Sequence, residues 1–272
     1  METGRNLCRD WRNGFSIAIP DPPKPTMGRQ RVDKLVVERG MVPTREKARR
    51  LILAGEVLVN DTPVDKPGTL VNDDAAIRLR NPPKPYVGRG GEKLAGALDA
   101  LALDVSELHV LDVGASTGGF TDCLLQRGVS EVTALDVGRG QLHWNLYSDE
   151  RVHVIEGVNA RHIQPEDFAE PFALIVIDVS FISLTKVLPA LASILRPKGH
   201  ILMLVKPQFE LSPEEVERGG VIRDSKKHEK AIASVKTKAA ELELSVLAVA
   251  PSPIKGAAGN QEFFLLVQSN ED

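Results

Sequence analysis

The 272-residue chain is poor in cysteine and in long apolar runs, and its histidines do not cluster. Its two cysteines, Cys8 in a polar leader and Cys123 after a glycine-rich loop, are too few for a disulfide framework or a cysteine metal set. They suit a reducing cytoplasm, with Cys123 as a small core residue. The six histidines are scattered without the paired spacing of a zinc site. No stretch approaches the roughly 20 apolar residues that cross a bilayer, so membrane insertion is not expected. No repeat or low-complexity tract spans the chain. What is present, 42% hydrophobic and 26% charged residues, suffices for one large core and a small accessory domain.

The net charge of −3 argues alone against a nucleic-acid partner, but the charge is uneven. Residues 29–50 hold eight bases (Arg29, Arg31, Lys34, Arg39, Arg45, Lys47, Arg49 and Arg50) against three acids, a local +5 that leaves −8 for the rest. A basic face on an acidic protein fits docking on phosphates, and a solvated helix face is the plainer alternative.

Residues 1–28 are polar, carry four prolines and lack helical or strand periodicity, so they read as a disordered leader. Their apolar pieces are too short for an export signal. Met27, just ahead of the first patterned segment, is the expected native start. Residues 29–80 then read as a small α+β domain. A helix from Arg31 to Glu38 turns at Gly40, a second helix is capped by Thr44, and Val57–Val59 with Asn60-Asp61 opens a hairpin. The strings Arg31-Val-Asp-Lys-Leu-Val-Val-Glu-Arg-Gly40, Thr44-Arg45, Ala48-Arg49-Arg50-Leu51-Ile52 and Gly55-Glu-Val-Leu-Val-Asn60 resemble the small RNA-binding domain first seen in a small-subunit ribosomal protein. That resemblance implies RNA contacts for Arg31, Lys34, Arg39, Arg45, Lys47, Arg49 and Arg50, reading shape and backbone more than sequence.

The proline-rich Asn81-Pro-Pro-Lys-Pro85 marks a linker over 81–88, and a second domain occupies 89–272. Apolar strands recur there at Leu108–Val113, Glu131–Val137, Val152–Ile155, Ala173–Val179, His200–Val205, Ser245–Ala250 and Glu262–Gln268, most of them separated by helical stretches. This alternation predicts an α/β fold, a doubly wound, mainly parallel, seven-stranded Rossmann-like sheet whose final strand is antiparallel. Ligands collect at the carboxyl ends of such strands.

The first of those ends reads Asp112-Val-Gly-Ala-Ser-Thr-Gly-Gly119 and opens a helix at Phe120. Small residues let the backbone approach a ligand while free helix N–H groups face it. The dinucleotide fingerprint is absent, and the leading acid suits a cationic amine. The string is similar to the first motif of S-adenosylmethionine-dependent methyltransferases, which implies cofactor contacts for Asp112, Gly114, Ala115, Ser116, Thr117, Gly118, Gly119 and Phe120. A glycine turn needed only for packing is the alternative. Asp136, about twenty residues on at the next strand end, stands where this fold places an acid on ribose hydroxyls. Asn159 either approaches adenine or closes a turn.

Four charged residues fall where the sheet would present them together: Lys93, Asp178, Lys206 and Glu262. A sugar hydroxyl is a poor nucleophile while it keeps its proton. A lysine beside it stabilises the developing alkoxide or takes the proton, and carboxylates orient the lysine. The electrostatic role is preferred for Lys206, with base action left open. Each member has a plainer reading: a helix-start charge for Lys93, a turn cap for Asp178, an edge-strand charge for Glu262.

With Arg89-Gly-Gly-Glu-Lys93, Asp178-Val-Ser-Phe-Ile-Ser-Leu184, Val205-Lys-Pro-Gln-Phe-Glu210 and Gly259-Asn-Gln-Glu262 added, residues 29–268 resemble the TlyA-type family, called haemolysins or ribosomal RNA methyltransferases. The resemblance implies 2′-O-methylation of cytidine in ribosomal RNA by an FtsJ-like domain, with S-adenosylmethionine as cofactor, ribosomal subunits as partners and Lys93, Asp178, Lys206 and Glu262 as the catalytic tetrad. No metal is expected. Gly88 stands where many relatives carry serine. Phe181 sits where an aromatic residue stacks on a flipped base in amine methyltransferases, with Phe120 and Phe209 as alternatives, although core packing is the expected role of all three. A membrane-active protein and a non-catalytic ribosome-assembly factor are the competing readings.

Overall fold

The computed structural model describes residues 28–81 and 84–270. The leader apart from Gly28, and the start at Met27, lie outside the described residues. The chain divides between residues 83 and 84 into two compact units.

In the first unit, β1 (Arg29–Arg31) runs directly into α1 (Val32–Glu38), followed by α2 (Arg45–Leu53), β2 (Val57–Val59), β3 (Thr62–Pro63), β4 (Leu70–Asn72) and β5 (Ile77–Leu79). Thr44 caps α2 by accepting from the Lys47 N–H at 3.2 Å. The β2–β3 hairpin turns on Asn60 and Asp61, whose φ values of 48° and 62° give the two left-handed residues that suit strand twist. Strands β1 and β4 pair, as do β3, β2 and β5 in that order. Val32, Leu35, Val36, Ala48, Ile52 and Val57 are buried between them.

The second unit contains α3 (Arg89–Leu101), β6 (His109–Val113), α4 (Gly119–Gln126), β7 (Glu131–Asp136), α5 (Trp144–Tyr147), β8 (Val152–Glu156), β9 (Phe172–Ile177), α6 (Leu188–Ala192), β10 (Leu195–Val205), α7 (Pro207–Glu210), α8 (Ser225–Glu241), β11 (Leu244–Pro251) and β12 (Phe263–Ser269). Residues 84–88, read from sequence as linker, lie with this unit. The Val87 N–H donates to Asp122 at 2.8 Å, and Gln126 donates to the Pro85 carbonyl at 2.9 Å. One sheet runs β11-β12-β10-β9-β6-β7-β8. Strands β10, β9, β6, β7 and β8 are parallel, while β12 lies antiparallel between β10 and β11. This is the fold expected from the alternation of strands and helices.

Period-two alternation builds a core on each face. Leu111, Ile175, Ile177, Ile201 and Met203 pack with Leu188 and Leu191 of α6 and Val235 of α8. Val110, Leu174, Val176, Leu202 and Leu204 pack with Leu94 and Leu98 of α3 and Leu124 of α4. The chain leaves β6 for β7 on one side while β9 pairs on the other, so a topological switch point opens beyond Val113 and Ile177.

Candidate active site

The glycine-rich loop is shaped by contacts that admit no side chain. Gly114 has φ 85°, and a Cβ there would stand 2.6 Å from the Asp178 carbonyl oxygen. Gly118 has φ 94° and lies against Leu146, while a Cβ at Gly119 would meet the Gly91 nitrogen at 3.0 Å. The starts of α3 and α4 therefore approach each other backbone to backbone.

Asp112 has a different task from the amine contact expected of it. It shares the face of β6 that turns toward α3 and α4, and it is fully buried. Its Oδ2 accepts from the Thr121 hydroxyl at 2.7 Å. Oδ1 has no partner, and burial pushes the carboxyl pKa up to about 7. The side chain lines neither adjoining cavity. It fastens α4 to β6, and through that fixes the loop.

Asp136 ends β7. Its carboxylate accepts from the N–H groups of Ser116 and Gly138, both at 2.7 Å, and keeps acceptor capacity toward a cavity of about 530 Å³. That volume falls in the range of small-molecule sites. Gly114, Ser116 and Asn159 also line it. Asn159 closes a turn, its Oδ1 accepting from the Arg161 N–H at 3.1 Å. A second cavity of about 180 Å³ adjoins through Gly114, Ser116, Asp178 and Ser180 and is further lined by Ala115, Thr117, Gly119, Phe120 and Lys206. The glycine approach and the anchored Asp136 suit a nucleoside-bearing cofactor. The bland reading of the loop explains the glycines but not the free acceptor face of Asp136.

Strand register gathers the acceptor chemistry. Met203 of β10 pairs with Ile177, and Val205 pairs with Phe263 of β12, so Asp178, Lys206 and Glu262 each lie one residue past the paired segment at one edge. Lys206 Nζ lies 2.6 Å from Asp178 Oδ1 and donates to Ser180 Oγ at 2.8 Å. Lys93 reaches in from α3, its Nζ 2.7 Å from Glu262 Oε2. Both lysines and Glu262 are buried. Glu262 is 3% exposed and precedes an interior strand, which removes its edge-charge reading. The tetrad is thus two ion pairs, of which Lys206–Asp178 faces the smaller cavity.

The N-terminal bases divide into two kinds. Arg31 and Arg45 both reach Asp33 Oδ2 at 3.0 Å, and Asp33 is fully buried. Arg39 donates to the carbonyls of Ala75 and Asp73 at 2.6 Å, and Lys34 pairs with Glu38 at 3.3 Å. Lys47, Arg49 and Arg50 are exposed, with no such partner among the described residues. Arg31, Arg39 and Arg45 tie parts of the unit together, Lys34 pairs only within α1, and Lys47, Arg49 and Arg50 present charge.

Residues 86–269 match the family model of the FtsJ-like methyltransferase, and residues 30–77 match that of the S4 domain. The chain belongs to the FtsJ-like methyltransferase family. It is 43% identical, over 90% of its length and 91% of the relative's, to the 16S/23S rRNA (cytidine-2′-O)-methyltransferase TlyA of Mycobacterium tuberculosis. Hemolysin A of Brachyspira hyodysenteriae is 42% identical, with 86% of this chain and 97% of that protein covered. A solved structure from Streptococcus thermophilus that carries a hemolysin label superposes with a TM-score of 0.67 at 43% identity, covering 89% of each chain. The resemblance to TlyA-type proteins is borne out.

Phe181 departs from the core packing expected of it. It is 92% exposed, has φ 64°, and its ring centroid lies 5.3 Å from that of Phe209. Phe120 is buried and stacks on Phe264 at 6.2 Å, as expected of a core residue. Cys123 is likewise buried, which raises its thiol pKa to about 11. Sequence reasoning missed Ser180, the second partner of Lys206, and Gln141, which lines the larger cavity near Ser116. A serine two residues beyond an aspartate carries no spacing signal. Among the described residues no acid, cysteine or histidine cluster is arranged to hold a metal, and no helix is long and apolar enough to cross a membrane.

Proposed function

We propose that this chain transfers a methyl group from S-adenosylmethionine to the 2′-hydroxyl of a cytidine in ribosomal RNA. The observation that carries the reading is the buried Lys206 side chain, which lines the smaller cavity and is fixed by Asp178 and Ser180, both of the wall that this cavity shares with the larger one. The relatives' RNA 2′-O chemistry and the S4 match support the substrate class.

Asp136 would hold the ribose hydroxyls of the cofactor, Asn159 its base end, and the Gly114–Gly119 backbone its amino-acid end. When bound, S-adenosylmethionine supplies a methyl carbon activated by its sulfonium. Lys206 would donate to the acceptor 2′-oxygen and stabilise the negative charge that grows there as the hydroxyl proton passes to solvent water, the O–CH₃ bond forming as the S–CH₃ bond breaks and a neutral thioether leaves. Asp178 and Ser180 keep Nζ aimed, so little reorganisation is needed at reaction. The Lys93–Glu262 pair forms the flank of this site on the β12 side. Phe181 offers a face for stacking the nucleotide presented to Lys206. Lys47, Arg49 and Arg50 supply the phosphate-docking charge, and the substrate places the protein in the cytoplasm with ribosomal subunits as partners.

Labelled S-adenosylmethionine with purified 30S and 50S subunits tests this. The wild type should label RNA from at least one subunit and Lys206→Ala should not. No labelling of either subunit by the wild type would remove the proposal.

A further inference from the structure

One hydroxyl stands where the two adjoining cavities meet the reacting lysine. Ser180 belongs to the wall common to both, with Gly114, Ser116 and Asp178. Its Oγ accepts from Lys206 Nζ at 2.8 Å, and its own proton goes to no acceptor among the described residues. Ser180 is exposed, so that proton is open to water. A serine hydroxyl donates once and accepts twice. With one lone pair taken by Lys206, Ser180 keeps its donor and one acceptor site free.

Methyl transfer to a hydroxyl must also dispose of the acceptor's proton, and the neighbouring groups are poorly placed to take it. Lys206 is paired with Asp178 at 2.6 Å and donates to Ser180, and a charged lysine has no lone pair to receive a proton. Asp178 would discharge the ion pair that fixes Lys206 by taking it. Ser116, the other hydroxyl of the shared wall, turns its proton to Gln141 Oε1 at 3.4 Å and has no hydrogen bond to Lys206. The backbone around Ser180 is itself unusual. Phe181, the next residue, has φ 64° while 92% exposed, so burial does not account for its left-handed conformation. Such outliers cluster at functional sites.

We propose that Ser180 is a further catalytic residue, which relays the 2′-hydroxyl proton from the acceptor to water. The proton grows more acidic as the O–CH₃ bond forms and the S–CH₃ bond breaks, so a neutral hydroxyl oxygen suffices to receive it. It passes to Ser180 Oγ while the Ser180 proton passes to a water molecule. The serine ends unchanged, and the products are a 2′-O-methyl ether, a neutral thioether and a proton in solvent. The hydrogen bond from Lys206 holds Oγ beside the oxygen to which the same lysine donates. The inference rests on the RNA 2′-O-methyltransferase reading above.

The test is single-turnover methylation of purified ribosomal subunits in mixtures of light and heavy water, at saturating S-adenosylmethionine. The wild-type rate should fall along a curve as the deuterium fraction rises, because two protons move together. Ser180→Ala should be slower by about 10²-fold or more and give a straight line. Ser180→Thr, which keeps the hydroxyl, should recover most of the rate and the curvature. Ser180→Ala at the wild-type rate overturns the relay. So does a slow Ser180→Ala that keeps the curvature, since the serine then only aims Lys206, and so does a wild type whose rate is indifferent to heavy water. Failure of the wild type to methylate RNA of either subunit would sink the underlying reading instead. Coincident thermal unfolding of the three proteins excludes misfolding as the cause of the loss.

Discussion

Gly114 and Asp178 meet through their backbones, so closely that a Cβ on the glycine would stand 2.6 Å from the aspartate carbonyl oxygen. The glycine-rich loop and the acid paired with Lys206 are therefore set by one contact at the β6–β9 switch point. Gly114→Ala must shift this contact and adopt φ 85° with a side chain. Calorimetry should show a loss of roughly 1–3 kcal/mol in stability, and titration should show weakened S-adenosylmethionine binding. Unchanged binding would separate the loop from the cofactor.

Lys206→Ala and Lys206→Arg test a different step. Both should bind S-adenosylmethionine normally yet lose about 10²- to 10⁴-fold in single-turnover methylation, the range typical of a positioned proton-handling or charge-stabilising group. Arg fails because its planar guanidinium does not fit the compact Asp178–Ser180 seat.

The Lys93–Glu262 pair separates stability from activity. Lys93→Met strands a carboxylate that is 3% exposed and should lower unfolding free energy by about 3 kcal/mol or more. Lys93→Met combined with Glu262→Leu should recover most of that in urea denaturation while methylation stays lost. A double variant that methylates at the wild-type rate would make the pair structural.

In the N-terminal unit, replacing Lys47, Arg49 and Arg50 by glutamine should weaken RNA binding and reduce the salt slope by about 2, with no effect on cofactor affinity. Arg31 and Arg45 should behave otherwise. Chiefly through the Arg31 hydrogen bond, they hold the Asp33 pKa down at about 2, below its ordinary 3.8. The folded unit thus prefers ionised Asp33. Its stabilisation is complete above the unfolded value and disappears as pH falls from 3.8 through about 2. Calorimetry across that window should show this loss in the wild type and a flatter profile in Asp33→Asn.

Phe181 is exposed and left-handed, so the fold gains little from it. Phe181→Asn should leave stability unchanged or raise it by up to about 1 kcal/mol. Methylation of ribosomal RNA should nevertheless fall about tenfold or more, through lost stacking. Equal kcat/KM would return Phe181 to the role of a surface residue.

Much of the architecture is legible in the sequence itself. Alternation in 108–113, 173–177 and 200–205 reported two buried faces, and Thr44 and Asn60-Asp61 announced a cap and a hairpin because their chemistry is local. Asp112 and Phe181 were not legible in the same way. An acid at a strand end reads alike whether it meets a ligand or a helix start, and a phenylalanine carries no mark of exposure. The division of the basic residues depended on Asp33, whose burial follows from packing of α1 rather than from its neighbours in sequence.

By itself, the sequence determined the strand–helix alternation, the glycine-rich loop, the concentration of charge in 29–50 and the identities of Lys93, Asp178, Lys206 and Glu262. Those properties are local or additive along the chain. Only the tertiary structure decided that the four charges form two ion pairs and that Asp112 serves the loop from beneath. The two ion pairs join residues 28 and 169 positions apart and the burial of Asp112 depends on what surrounds one side chain, so strand register and packing set these relations only when the chain closes on itself.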